Sequence, residues 1–140
     1  MLDPYARLLL LLCVILLSSA CGGVADEYRI VPVTAWNAGF LRQSQVDKLL
    51  GVPGDPNSKG DIRNANCNAV LVQVRRRADV CYPSGLGEPY MSGLTPANFN
   101  ALQAIINAAH DTTGGKKRIE IHCWVVVFRT AEGEAYDAHS

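Results

Sequence analysis

Three runs rich in β-branched and aromatic residues, each separated from the next by a stretch with helical signals, constrain this chain more than any other feature. Arg29 to Trp36 (RIVPVTAW), Ala69 to Arg75 (AVLVQVR) and Arg118 to Phe128 (RIEIHCWVVVF) read as strands. Pro32 weakens the first as a central strand, because proline donates nothing to a ladder. Between the first two runs, Gln43 to Leu50 reads as a helix ended by Gly51 and Pro53, and a loop rich in Gly, Pro, Asn and Asp follows from Gly54 to Gly60. Between the second and third the helical signal is stronger. Thr95 is the predicted cap and Pro96 suits the first helical position. Phe99, Leu102, Ile105, Ile106 and Ala109 recur on one face, and Gly114 and Gly115 stop the helix. Strand, helix, strand, helix, strand is the βαβ rhythm of a parallel sheet, so the fold class is α/β.

Strand residues alternate faces, which divides each run in two. Val70, Val72 and Val74 share a face with Ile121, Cys123, Val125 and Val127, an aliphatic surface suited to covering helices. The other face collects Thr34, Trp36, Gln73, Arg75, Glu120, His122 and Trp124. Each unpaired buried polar group costs about 1–3 kcal/mol, so a face carrying several reads as a lumen or a site. Trp36, Arg75 and Trp124 fall toward the carboxyl ends of their strands, the edge at which parallel α/β folds bind ligands.

The amino terminus speaks of export. Arg7 is followed by ten apolar residues, Leu8 to Leu17, and then by Ser18, Ser19, Ala20 and Cys21. A basic start, a short apolar run and small residues describe a signal peptide over residues 1–20. Ten residues make about 15 Å of helix, half of what a bilayer core requires. Small residues before Cys21 resemble a lipobox, although Ser18 stands where that pattern has Leu; lipidation at Cys21 and plain cleavage after Ala20 are both open. The expected location is the periplasm or cell envelope, lipid-anchored at Cys21, or otherwise secreted, with membrane contact only through that lipid.

Thirteen basic and thirteen acidic residues cancel, which gives no electrostatic reason to expect a nucleic-acid partner or an acidic substrate. In the run Arg75-Arg76-Arg77, strand alternation is expected to send the members in different directions. Cys67, Cys81 and Cys123 lack CxxC spacing, so neither a metal site nor a cofactor is expected. Cys67 and Cys81 flank one strand and are free to pair or not, and Cys123 reads as a small buried hydrophobe. Gly114-Gly115-Lys116-Lys117 follows a helix and precedes a strand, the reverse of a phosphate loop.

Several motifs then fall in order. NAVLVQVRRRADVCYPS (Asn68 to Ser84) resembles the second-strand motif of the glycoside-hydrolase-like family 10 domain, where Gln-Val-Arg is followed by Asp and then Tyr-Pro-Ser. Glu88-Pro89-Tyr90 with Gly93 is similar to that family's next stretch, and the helix ending Ala108-Ala109-His110 to its second helix. IEIHCWVVVFR resembles its third strand, and Trp36 matches the Trp near the end of its first. The likeness covers Arg29 to Arg129. It departs at Val126 and Val127, where the family has Asn-Pro, and at Arg76 and Arg77, where it has Pro and a small residue.

The resemblance implies a (β/α)₈ barrel over residues 28–140 and an exported glycoside hydrolase acting on cell-wall or other polysaccharide glycans. Such a barrel takes about 250 residues, so the 140 here are expected to hold its first three strands, a truncated portion whose catalytic acids lie beyond Ser140. The alternative is a non-catalytic carbohydrate-binding envelope lipoprotein, or an inactive remnant.

Six residues are candidates for substrate contact: Trp36, Gln73, Arg75, Asp79, His122 and Trp124. Trp36 and Trp124 can stack on a pyranose or serve as core. Arg75 offers a fixed fork of donors to hydroxyls or to a catalytic carboxylate. Asp79 follows the second strand and is equally a turn residue. His122 is a sugar donor or a hydrogen-bonded lumen histidine, and Glu120 an expected partner for Arg75 or another lumen group.

Overall fold

The computed structural model describes residues 27–36 and 39–128. The signal segment, Cys21 and the residues after Phe128 lie outside them.

Three strands form one parallel sheet: β1 (Ile30–Val33), β2 (Ala69–Arg75) and β3 (Glu120–Val125), in spatial order β1-β2-β3. The register sets Val31, Val70 and Ile121 side by side, and likewise Val33, Val72 and Cys123. The mixed α/β expectation is met, with β2 at its expected bounds and the outer strands shorter. Pro32 is accommodated because β1 is an edge among the described strands. The Arg29 carbonyl accepts from Asn68 and Ala69, which turns the odd-numbered residues toward β2 and the proline nitrogen to the open side.

Helices α1 (Gln43–Leu50), α2 (Gly60–Asn64) and α3 (Ala101–His110) accompany the strands. The core lies between the helices and the aliphatic sheet face: Val33, Val70, Val72 and Val74 meet Val46, Leu50, Ile62, Ala104, Ile105 and Ala108. Burial of a side chain the size of Ile105 contributes about 1.5–3 kcal/mol. The alanines of α3, at positions 101, 104, 108 and 109, are all buried, and their small size brings the helix close to the sheet.

Two corrections concern the helices. The loop expected over residues 54–60 is present up to Lys59, but it leads at Gly60 into α2, a helix that sequence reasoning did not name. The loop closes on itself because Gly51 and Gly60, at φ +86° and +78°, leave no room for a Cβ: one would strike the Ser58 carbonyl, the other the Gly51 backbone. And α3 starts at Ala101, not after Thr95. Asn100 is its cap, its side-chain oxygen accepting from the Gln103 amide at 3.1 Å, while Thr95 is held in an isolated bridge with Arg42.

At the end where α1 and α3 finish, a cationic knot satisfies carbonyls that helix ends leave unpaired. Arg63 donates to the carbonyls of Leu50, Ala108 (3.0 Å), Ala109 (2.9 Å), Asp111 (3.2 Å) and Lys117 (2.7 Å). Lys116, buried, donates to the carbonyls of Val52 (3.1 Å), Asp55 (2.9 Å) and Ser58 (3.4 Å) and pairs with Asp111 at 2.5 Å. The Lys116 ammonium and the Thr113 donors hold the Asp111 carboxyl far below its ordinary range. Thus the Gly-Gly-Lys-Lys stretch closes a loop and carries no phosphate geometry.

Candidate functional site

The carboxyl edge of the sheet gathers the chain's most distinctive side chains. Gln73 projects from the face opposite the valine core, is only 5% exposed, and stands in register with Trp124. Among the described residues its Oε1 has no hydrogen-bond partner, a costly state for a buried acceptor. A break in register between Gln73 and Arg75 then leaves Arg75 opposite Val125. Such irregularities re-aim side chains beside sites.

Arg75 ties three segments together. Its Nε donates to Glu88 Oε1 at 2.7 Å and its Nη1 to the Val126 carbonyl at 2.5 Å, while its own carbonyl accepts from the Val126 amide at 3.0 Å. Ser84 Oγ donates to the other oxygen of Glu88 at 3.0 Å. Hydrogen bonds from Arg75 first and Ser84 second hold the Glu88 carboxyl below its usual range, against a smaller opposing effect of burial. Of the two partners expected for Glu120, Arg75 is taken by Glu88 instead, which sequence reasoning met only as part of a motif, while Glu120 stands beside His122, a group of the same sheet face.

The arginine run also departs from expectation. Past the end of the strand the chain turns, and strict alternation no longer applies. Arg76 and Arg77 converge, their Cζ atoms 4.6 and 4.5 Å from the centroid of the Trp36 ring. Arg76 is 5% exposed and locked: Nε and Nη2 lie 2.9 and 2.8 Å from Asp79 Oδ2, and Nη2 donates to Ser92 Oγ at 2.7 Å. Asp79 Oδ1 accepts from the Arg77 amide at 3.3 Å, so Asp79 acts as the turn residue that organises the arginines.

Trp36 and Trp124 are 51% and 40% exposed, so neither is core. His122 lies two residues before Trp124 on the same face, beside Leu71, about 7 Å back along the strand. Its Nε2 is 3.1 Å from Glu120 Oε1 but misaligned for a hydrogen bond, and its ring meets Tyr28 edge-on at 6.1 Å. The structure therefore joins Trp36 to Asp79 through Arg76 and Arg77, sets Gln73 beside Trp124, ties Arg75 to Glu88 and Val126, and leaves His122 apart. Arg76, Arg77, Ser84, Glu88 and Ser92 are the members that sequence reasoning did not nominate. The arginine triplet was the available signal.

A groove of about 730 Å³ lies away from this edge. It lies on the helix side of β3, between Leu102, Ile106, Ile121 and Cys123. Cys123 is exposed there, contrary to the expectation of burial, because no helix among the described residues covers that part of β3. Cys67, Cys81 and Cys123 are all free thiols. Burial pushes the Cys81 thiol up to about 12. Among the described residues no group of His, Cys, Asp and Glu could hold a metal ion, and no helix is long and apolar enough to cross a membrane. Comparison of the chain with protein-family models, with curated proteins and with solved structures finds no match in any of the three.

Proposed function

We propose that the chain carries the first three strands of a (β/α)₈ barrel belonging to an exported glycoside hydrolase of the glycoside-hydrolase-like family 10 type, acting on cell-wall or other polysaccharide glycans. The observation that carries the reading is the winding. Three parallel strands follow one another in chain order, and their shared core with the helices lies on one face. A barrel begins that way, as does one half of a doubly wound sheet before its order reverses, and the motif resemblance is what favours the barrel. The polar face would then be the lumen. Two half-exposed tryptophans, a buried glutamine and a set of fixed guanidiniums at the carboxyl edge suit sugar rings and their hydroxyls.

In this reading the described edge binds and the cleaving groups come from elsewhere. Glycoside hydrolysis uses two carboxyl groups flanking the bond. Asp79 and Glu88 are both engaged by guanidiniums, so neither is assigned here as a cleaving group. The same engagement favours the second reading, an envelope lipoprotein anchored at Cys21 that binds glycan without turnover. Reading the coding sequence past the Ser140 codon, and assaying the encoded chain for reducing ends released from peptidoglycan and soluble polysaccharides, decides between them. Further βα units with strand-end carboxylates and measurable release support the hydrolase. A stop codon there, with glycan retained but uncut, replaces it with the binding protein.

A further inference from the structure

The groove over β3 changes character from one end to the other. The Ile119 amide donates to the Ala109 carbonyl at 2.9 Å, so the last turn of α3 sits where β3 begins and the two run antiparallel. Leu102 and His110 both line the groove, and between them α3 rises about 12 Å, which sets the length of the slot. Leu102, Ile106, Ile121 and Cys123 make its middle and far end apolar. Arg29, Lys117 and Arg118 gather at the near end, where β1 and β3 start, and Glu120 is the one acid in the lining. That end is therefore positive. Arg29 meets Glu27 at 3.5 Å in an exposed pair, which is worth little. Arg118 Nη2 lies 3.2 Å from His110 Nε2, a nitrogen that supplies no negative charge. Glu120 stands 3.1 Å from His122.

This arrangement discriminates between occupants. An amphipathic helix carries its apolar stripe lengthwise, with polar groups along its flanks. A slot that is cationic at one end and apolar at the other fits a single chain with one anionic head. Its volume of about 730 Å³ falls in the range of small-molecule sites, about 300–1,000 Å³. We propose that the groove binds a free medium-chain carboxylate, its tail along Leu102, Ile106, Ile121 and Cys123 and its head among Arg29, Lys117 and Arg118. The site lies on the helix side of the sheet, away from the candidate glycan edge, and does not rest on the glycan reading.

Cys123 lines the groove and is exposed, so its alkylation reports occupancy; Cys67, outside the groove, is the internal control. The full chain is treated with iodoacetamide at rising concentrations of monomeric decanoate, and each thiol is read by peptide mass spectrometry. Decanoate is expected to slow Cys123 at least about tenfold at saturation and to leave Cys67 unchanged. Decyltrimethylammonium, which has the tail without the anion, and hexanoate, which lacks four methylenes, should each need at least about tenfold more for the same protection. Lys117→Gln with Arg118→Gln, both exposed positions, should weaken decanoate about tenfold and leave decyltrimethylammonium no weaker. Arg118→Gln alone serves if circular dichroism finds the double variant unfolded. Acetate as protective as decanoate overturns the proposal in favour of a plain anion site. Equal protection by the two decyl amphiphiles, or Cys67 slowed in parallel, reduces it to unspecific apolar binding. Protection by phosphatidylglycerol vesicles with none by decanoate replaces it with a membrane surface. A Cys123 that does not react in the unliganded chain overturns it too, because the groove is then filled from within the chain.

Discussion

β2 and β3 are made of similar material and live in different surroundings. Ala69 to Arg75 carries five fully buried residues, Leu71 and Arg75 alone being half-buried. Glu120 to Val125 carries none: Glu120, Cys123, Trp124 and Val125 are exposed and Ile121 and His122 half-buried. Both segments are strand formers by composition. What separates them is position, since β2 has a strand on each side and helices over its valines, while among the described residues β3 has one neighbour and a groove where cover is missing. Strand propensity names the conformation, and neighbours assign the burial.

Substitutions can test this contrast. The largest effect is expected under β2, where Ile105→Ala should cost about 2–5 kcal/mol in urea unfolding, a transfer loss plus a cavity. A cost near zero would mean that the helical cover is not packed as described. Next, Arg63→Ala should cost about 2–3 kcal/mol, because it leaves the last carbonyls of α1 and α3 without their charged donor. If the knot sharpens the difference between the strands, amide exchange in β2 should accelerate more than in β3.

The thiols give a chemical version of the same test. Cys123 should react with iodoacetamide in the native protein, and Cys81, at 0% exposure, only on unfolding. The pH dependence follows in sign. Burial raises the Cys81 thiol from 9.0 to about 12 in the folded state. Its contribution is therefore fully present below the unfolded value and is lost as pH rises from about 9 toward 12. Stability should fall over that alkaline window in the wild type and less in Cys81→Ala, and parallel pH profiles would falsify the assignment. Glu88 runs the other way. Its carboxyl is depressed by Arg75, so its contribution holds above the ordinary carboxylate value and fades as pH falls through the folded one. Glu88→Gln should flatten the acid limb slightly and raise protease cleavage between Ser84 and Glu88. The smallest effect belongs to β3 itself: Val125→Ala, at 45% exposure, should cost under about 1 kcal/mol. A loss as large as that of Ile105→Ala would erase the contrast and place cover over β3.

The chain's local periodicities were legible without coordinates. The bounds of α1 and β2, the division of the strands into an aliphatic and a polar face, and the parallel α/β class all follow from side chains at spacings of two or of three and four, which neighbouring residues impose on one another. The carboxyl edge was legible in part, through Trp36, Gln73, Arg75 and Trp124. The partners were not. That Arg75 meets Glu88, that Arg76 and Arg77 close on Trp36 across forty residues of chain, that Asn100 and not Thr95 caps α3, and that Cys123 faces outward are decided by which segments come to lie together. Local sequence sets a residue's conformation, but the energy of a contact depends on groups distant in the chain, and only the folded arrangement brings those within reach.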